Sequence, residues 1–359
     1  MFRLFKDTTI YIFCPAQTTT GGPEALHQLC DAINLQGGKA RMVYIDYSTE
    51  QIVRASKPLV YKIYYTESTT VVRDEEKNIA VVPEIWPHLL RDYRKIQKSM
   101  WWLSVNYLRN EDIFSKKGFV HLYQSYYAGK FLEAKGEKTA SALYDYVNVF
   151  PRKNLNKKNW VCYNPKKGFT VTNRILEACH EGPFTFVPLE GFSKKELMDT
   201  LSESKVYIDF GDHPGKDRIP REAALAGNII ISSKSGSAYY HEDLPIPEQY
   251  KFESDNVKGA AQAIANGMTN YKSLIPDFDE YKQTIISQKN EFFQQTKSLF
   301  LGPNVSALEK ISGWVLHKLL PVRFFVTYAE WARSRVEKGI SASAKKRLKK
   351  LFYLKKNTA

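Results

Sequence analysis

Short apolar runs alternate with amphipathic stretches along most of this chain, separated by Gly, Pro or polar clusters. Residues 8–14 read as a strand that Pro15 ends. The polar AQTTTGG loop follows, then an amphipathic helix from Pro23 or Glu24 to a stop at Gly37 and Gly38. Pro just inside a helix and Gly just past its end is the expected asymmetry: the first turn needs no donor, and glycine accepts a left-handed cap. Strand-like runs recur at 41–45, 59–64, 78–82 and 118–123, with a helical stretch at 88–98. Alternation of this kind predicts a doubly wound α/β domain.

The pattern breaks at DYVNVFPRKNLNKKN, which is polar, basic and interrupted by Pro, and a domain boundary is expected near residue 150. A second α/β series then runs through strands at 160–163 and 184–188 and helices at 169–180 and 193–202. Its clearest unit is VYIDFGDHPGKDRIPREAALAGNIIISSKSGSAYY, residues 206–240. Here an apolar strand enters a Gly/His/Lys loop, an Ala-rich helix starts at Arg221, Gly227 stops it, and a second strand begins at once. Strand, loop, helix and strand with short connections make a parallel unit whose ligands sit beyond the carboxyl ends of the strands. From residue 257 to about 300 the pattern is helical, and a further helical stretch is expected at 305–338. The expected organisation is 1–150, 151–300 and a helical, basic extension at 301–359.

Composition narrows the class. A chain of 359 residues with 43% hydrophobic and 25% charged residues has room for two ordinary cores and is not a disordered polymer. The net charge of +14 calls for an anionic partner. Between residues 323 and 356 stand eleven Lys and Arg against two Glu, with Leu348, Leu351, Phe352 and Leu354 interleaved in the last part. Basic plus apolar is the composition of an interfacial helix on an anionic membrane; a solvated basic tail has the same composition. No recognisable nucleic-acid module accompanies the charge, so nucleic acid is not an expected partner. Four cysteines without metal-type spacing read as buried thiols of a reducing compartment. The start of the chain is too quickly polar for a signal peptide, and no run approaches the ~18 apolar residues of a membrane span. The expected location is the cytoplasm, with peripheral contact at the inner membrane face.

The loops hold the chemistry. Gly21 and Gly22 lie beyond the first strand, where a backbone can approach phosphate; they serve a turn and helix cap equally well. Lys166 and Lys167 follow the first strand of the second series. Lys216, Arg218 and Arg221 supply cations beside Gly211 and Gly215, and Glu222 enters the first turn of the expected helix. Amides at a helix start with Lys and Arg form an anion receptor, and a carboxylate one turn in suits sugar hydroxyls. Arg218 and Arg221 have interdomain ion pairs as their alternative, and any acid gains at a helix start. His213 sits in the same loop and is a candidate for acid/base work, with Glu24, His27, Glu84 and His121 as further candidates. Ser235 and Gly236 follow the last strand of the unit as a donor-contact loop or a plain turn.

TGGPEALHQLC, YNPKKG and HPGKDRIPREAALAG together resemble bacterial glycosyltransferases of the GT-B type, in particular those that build capsule, O-antigen or exopolysaccharide chains. The resemblance covers about residues 8–300. It implies two Rossmann-like domains facing across a cleft, a nucleotide-sugar donor held mainly by the second, and a glycan, often lipid-linked, as acceptor. It implies no separate cofactor. Many retaining members carry two glutamates separated by seven residues; Glu222 matches the second, while Pro214 stands where the first would fall. The resemblance therefore leaves the stereochemistry open. No DxD motif ends a strand, and metal-independent transfer is expected.

Overall fold

The computed structural model describes residues 2–108, 118–149 and 156–302. The expected helical stretch at 305–338 and the basic tail lie outside these residues.

The first half builds a parallel sheet of six strands. They are β1 (Ile10–Pro15), β2 (Ala40–Ile45), β3 (Ile79–Pro83), β4 (Gln97–Trp102), β5 (Phe119–Tyr123) and β6 (Ser141–Ala142), in the order β2-β1-β3-β4-β5-β6. Helix α1 (Gly21–Leu35) carries the crossover from β1 to β2, and α2 (Tyr126–Ala134) follows β5. β1 and β3 are buried along their whole length, which is why they read as unbroken apolar runs rather than alternating ones.

The second half repeats the plan with β7 (Lys158–Tyr163), α3 (Phe169–Ala178), β8 (Thr185–Pro188), α4 (Lys194–Glu203), β9 (Ser204–Asp209), α5 (Arg218–Ala226), β10 (Ile229–Ser233) and β11 (Lys251–Phe252). Its five parallel strands run in the order β11-β10-β9-β7-β8. Helices α6 (Val257–Thr269), α7 (Tyr271–Leu274) and α8 (Asp279–Phe300) complete the chain described. Both sheets reverse strand order beside their first strand, between β1 and β3 and between β7 and β9. At such a switch point the neighbouring loops leave to opposite faces and open a crevice for ligand.

Two expectations from the pattern fail. Residues 59–64 form a 3-10 turn at Leu59–Tyr61 rather than a strand, because Tyr61 and Tyr64 turn inward at a spacing of three. Residues 88–98 are not helical: a 3-10 turn at Pro87–Leu90 ends early, and β4 begins at Gln97. The polar start of QKSMWW hid a strand whose last four residues are buried.

The two halves share packing. Leu143 and Tyr146 belong to the core under the first sheet, while Val147 packs in the second. The end of α8 returns to the first half, where Phe292 stacks on Trp101 at 6.1 Å and Phe300 on Phe2 at 5.3 Å.

Candidate functional site

The loops beyond the strand ends meet at the junction of the two halves. Leu103, just after β4, sits against the second half's loop: a Cβ on Gly215 would lie 2.3 Å from its carbonyl oxygen. Val105 N–H donates to the Pro214 carbonyl at 2.9 Å. Gln124 clasps Lys216 from both sides, accepting from its N–H at 2.8 Å and donating to its carbonyl at 3.1 Å. Asp243 accepts the Tyr126 and Tyr127 N–H groups at 2.8 and 2.9 Å, where the positive end of α2 favours a carboxylate.

The loop 210–217 is held by its neighbours' lack of side chains. Gly168 has φ +60°, and a Cβ there would meet the Phe210 carbonyl oxygen at 1.9 Å. Gly236 has φ +50°, and a Cβ would meet the His213 carbonyl oxygen at 2.1 Å. Three non-glycine residues adopt positive φ among those described: Gln17, Glu50 and His213. All three follow strand carboxyl ends, and backbone strain of this kind collects at functional sites.

Each expected donor residue has a definite place. Gly21 and Gly22 open α1, whose N-cap Thr20 makes no side-chain cap. A Cβ on Gly21 would lie 3.0 Å from Arg218 Cδ, so the amide end of α1 abuts the second half's cation. Arg218 bridges the halves, donating to Asp145 Oδ2 and the Tyr146 carbonyl, both at 2.9 Å, and pairing with Glu24 Oε1 at 3.2 Å. Glu24 also accepts from the Tyr64 hydroxyl at 2.8 Å.

Arg221 does not reach a ligand. It is fully buried, and Nε, Nη1 and Nη2 donate to the Asp217, Asp145 and Lys216 carbonyls, Gln288 Oε1 and Asp145 Oδ1, at 2.8 to 3.2 Å. Those bonds use all five guanidinium donors, and the phosphate role expected for Arg221 is withdrawn. The helix starts at Arg218 rather than Arg221, so Glu222 lies in its second turn rather than its first. Glu222 is buried and pairs with Lys194, at the start of α4, whose own side chain is 42% exposed. Lys216 is buried too, 3.5 Å from Asp243 Oδ1 and 4.8 Å above the Tyr144 ring.

His213 is buried with acceptors at both nitrogens. Nδ1 lies 3.1 Å from Asp217 Oδ2 and Nε2 3.3 Å from the Asp209 carbonyl. Burial pulls the imidazole down, but Asp209 and Asp217 outweigh it and hold it above its ordinary value. Both ring nitrogens are thus turned to protein acceptors, which gives His213 a structural place in the loop; the acid/base work expected of it would need one of these bonds to be exchanged. Burial pushes the Asp217 carboxyl up, yet His213 and Lys167 hold it at about 2. Lys167 Nζ donates to Asp217 Oδ1 at 2.6 Å. Asp209, His213 and Asp217 bring possible ligand atoms within 4.8 Å of one another. Their carboxylates also accept from Lys167, the Tyr207 hydroxyl and the Gly211 amide.

Lys166 remains exposed, 3.8 Å from Glu190, in the turn before α3. Ser235 Oγ bonds back to the Gly211 carbonyl at 2.7 Å. His27 is a core residue: burial lowers it to about 4, with Nδ1 2.7 Å from the Pro23 carbonyl and Nε2 3.0 Å from the Tyr44 hydroxyl. His121 accepts from the Trp102 indole N–H at 3.0 Å inside the first sheet. Glu84, at the end of β3, is pushed up to about 7 by burial and accepts the Leu103 N–H at 3.0 Å. Asp145, Asp243, Gln124 and Lys194 had no role in the sequence reading. Their partners lie 21 to 117 residues away, and no local spacing marks them.

No family model matches the chain, and no curated protein matches it. Solved structures do. A glycosyltransferase from Rickettsia africae ESF-5 superposes with a TM-score of 0.56 at 13% identity, over 84% of this chain and 100% of that one. The apo structure of OtsA gives 0.57 at 10% identity, over 84% and 100%. The apo lipopolysaccharide outer core galactosyltransferase WaaB gives 0.53 at 11% identity, over 80% and 99%. The chain spans 62% of the length of TarM, also matched, at a TM-score of 0.49. The fold is GT-B, two Rossmann-like units with their strand ends opposed, as the sequence resemblance implies.

Proposed function

We propose that the chain is a glycosyltransferase that moves a sugar from a nucleotide-sugar donor to a glycan acceptor. The observation that carries this reading is the opposition of two switch points: the uncapped start of α1 at Gly21 and Gly22 meets Arg218 of the second unit. Amide groups and a guanidinium stabilise a leaving diphosphate without reorganisation when it departs. Lys166 and Lys167, beyond β7, add cations on the donor side. Glu222 takes the ribose hydroxyls in exchange for the half-exposed Lys194. Transfer is metal-independent in this reading, since lysines and amides carry the diphosphate charge. Glu24 and Glu84, both of the first unit, are the carboxylates that would take the proton from the acceptor hydroxyl.

The acceptor is a lipid-linked glycan of a polysaccharide pathway, and the basic tail holds the enzyme peripherally at an anionic membrane. The tail's charge supports this from sequence alone; among the described residues no helix is long and apolar enough to cross a membrane.

A panel of UDP, GDP, ADP, CMP and dTDP tests the donor reading by thermal shift. One nucleotide at a hundredfold above its Kd should stabilise the fold by about 2.7 kcal/mol. No shift with any of the five would overturn it. Pro214 in place of an acid, with Arg221 and His213 turned inward, favours a second reading, a non-catalytic GT-B scaffold. Nucleotide binding without turnover of any matching nucleotide sugar would decide for the scaffold.

A further inference from the structure

Among the described residues, large exposed apolar side chains stand singly along the sequence, with one exception. In the segment 59–65, Leu59 is 70% exposed, Val60 58%, Ile63 40% and Tyr65 58%. Between them Tyr61 and Tyr64 are each 3% exposed, so the turn divides its residues into an anchored set and a projecting set.

The anchors are specific. Tyr61 hydroxyl donates to the Thr20 carbonyl at 3.0 Å, and its ring lies 4.5 Å from that of His27. Tyr64 hydroxyl donates to Glu24 at 2.8 Å. Lys57 Nζ closes the base on the Tyr64 carbonyl at 2.6 Å. Backbone bonds Tyr61 N–H to Pro58 and Tyr64 N–H to Tyr61, both at 3.0 Å, keep the turn tight. The outer residues face solvent, and so do Lys62 within the turn and Arg54 five residues before it in sequence. From Arg54 to Thr66 the chain has three cations and no Asp or Glu.

From this geometry we infer that residues 59–65 form a membrane-docking knob whose occupant is the surface of an anionic lipid bilayer. Apolar side chains at the tip enter the acyl boundary, and cations at the rim meet lipid phosphates, the division that interfacial segments use. A protein partner would meet the same apolar tip, but a rim with exposed Arg54 and Lys62, whose flanking acid Glu67 is tied to Arg41, matches an anionic lipid surface. The knob stands on Thr20 and Glu24, the entrance of α1. Docking there sets the bilayer beside the junction of the two units, a position that a soluble acceptor would not require. The surface is distinct from the basic tail and does not depend on the donor reading.

The test uses the full chain with Val60→Cys carrying an environment-sensitive fluorophore; the native cysteines, all buried, stay unlabelled. Mixed phosphatidylglycerol–phosphatidylcholine vesicles should shift its emission to the blue, and lipid-borne quenchers should quench it. The same label at Glu181, exposed on the second unit, should stay unchanged. A second variant, Leu59→Ser/Val60→Ser/Ile63→Ser, changes exposed positions only and should keep the wild-type melting temperature. At salt high enough to screen the tail, it should lose about tenfold in vesicle partition. An unmoved Val60 label, whether the protein sediments with vesicles or not, overturns the inference. So does wild-type partition by the triple variant. Neither readout involves a sugar or turnover, so both results stand apart from the fate of the transferase reading.

Discussion

Two basic loops face the junction between the sheets and use their charge in opposite directions. The loop before α5 carries Lys216, Arg218 and Arg221. Its cations turn inward, onto Asp243, Asp145 and Glu24, all from other elements. The loop before α3 carries Lys166 and Lys167. It sends one lysine to Asp217 and leaves the other in solvent near Glu190. Charge in a loop at a strand end therefore has two outcomes, a ligand site or a joint between domains. Burial separates them: Arg221, with all its donors used, is part of the frame, Arg218 keeps an unpaired Nε beside the start of α1, and a hydrated lysine beside a helix start is available to an anion. The first loop holds the two units in register, which keeps the second in place to act.

The inward loop gives the largest expected effect. Asp145→Asn removes the charge that Arg218 and Arg221 share and turns an amide donor toward one of them. Breaking a buried pair from one side leaves uncompensated charge and costs about 3–5 kcal/mol. Urea unfolding should show that loss, with full-length secondary structure retained before the transition. A change below about 1 kcal/mol would place these pairs with ordinary surface ion pairs and dissolve the distinction between the loops.

The second effect concerns the shelf on which that loop rests. Glu84 accepts the Leu103 N–H, and Leu103 and Val105 in turn carry Gly215 and Pro214. Burial raises the Glu84 carboxyl from 4.5 to about 7, so the folded state holds its proton where the unfolded chain has released it. Stability therefore falls as pH rises from about 4.5 through about 7, by about 3 kcal/mol from this group alone. Glu84→Gln keeps an acceptor for Leu103 and removes the titration. The difference in unfolding free energy between wild type and variant should change across that window; a constant difference would show that Glu84 is ionised throughout.

What could be read beforehand follows the same division. The strands 206–210 and 229–232 were legible because both faces of a central parallel strand are buried, so each opens on three apolar residues in a row, 206–208 and 229–231. The loop's cations were legible as chemistry. Their direction was not, because Asp145 lies 73 and 76 residues from Arg218 and Arg221, in a stretch whose polarity suggested a linker. β4 was missed for a related reason: its polar first half masks two tryptophans that only the assembled sheet buries. Tyr61 and Tyr64 looked like strand residues since aromatics favour both strands and anchored turns, and the anchor, Thr20 with Glu24, is remote in sequence.

The outward loop allows the sharpest comparison, because one strand carries an exposed lysine at each end. Lys158 opens β7 and pairs with Glu203; Lys166 lies just beyond its carboxyl end near Glu190. Both are lysines beside a glutamate, and neither is buried. In a parallel sheet only the carboxyl end faces ligand. Lys166→Ala should therefore remove a charge-assisted bond to donor phosphate worth about 1.5–3 kcal/mol, roughly ten- to a hundredfold in kcat/KM. Lys158→Ala should leave kcat/KM at the wild-type value. Both variants should melt within about 0.5 kcal/mol of the parent, as exposed substitutions do. Equal loss of kcat/KM in the two would reduce the effect to net charge. An undiminished Lys166→Ala enzyme would move donor binding away from β7 and leave the start of α1, with Arg218, as the phosphate receptor.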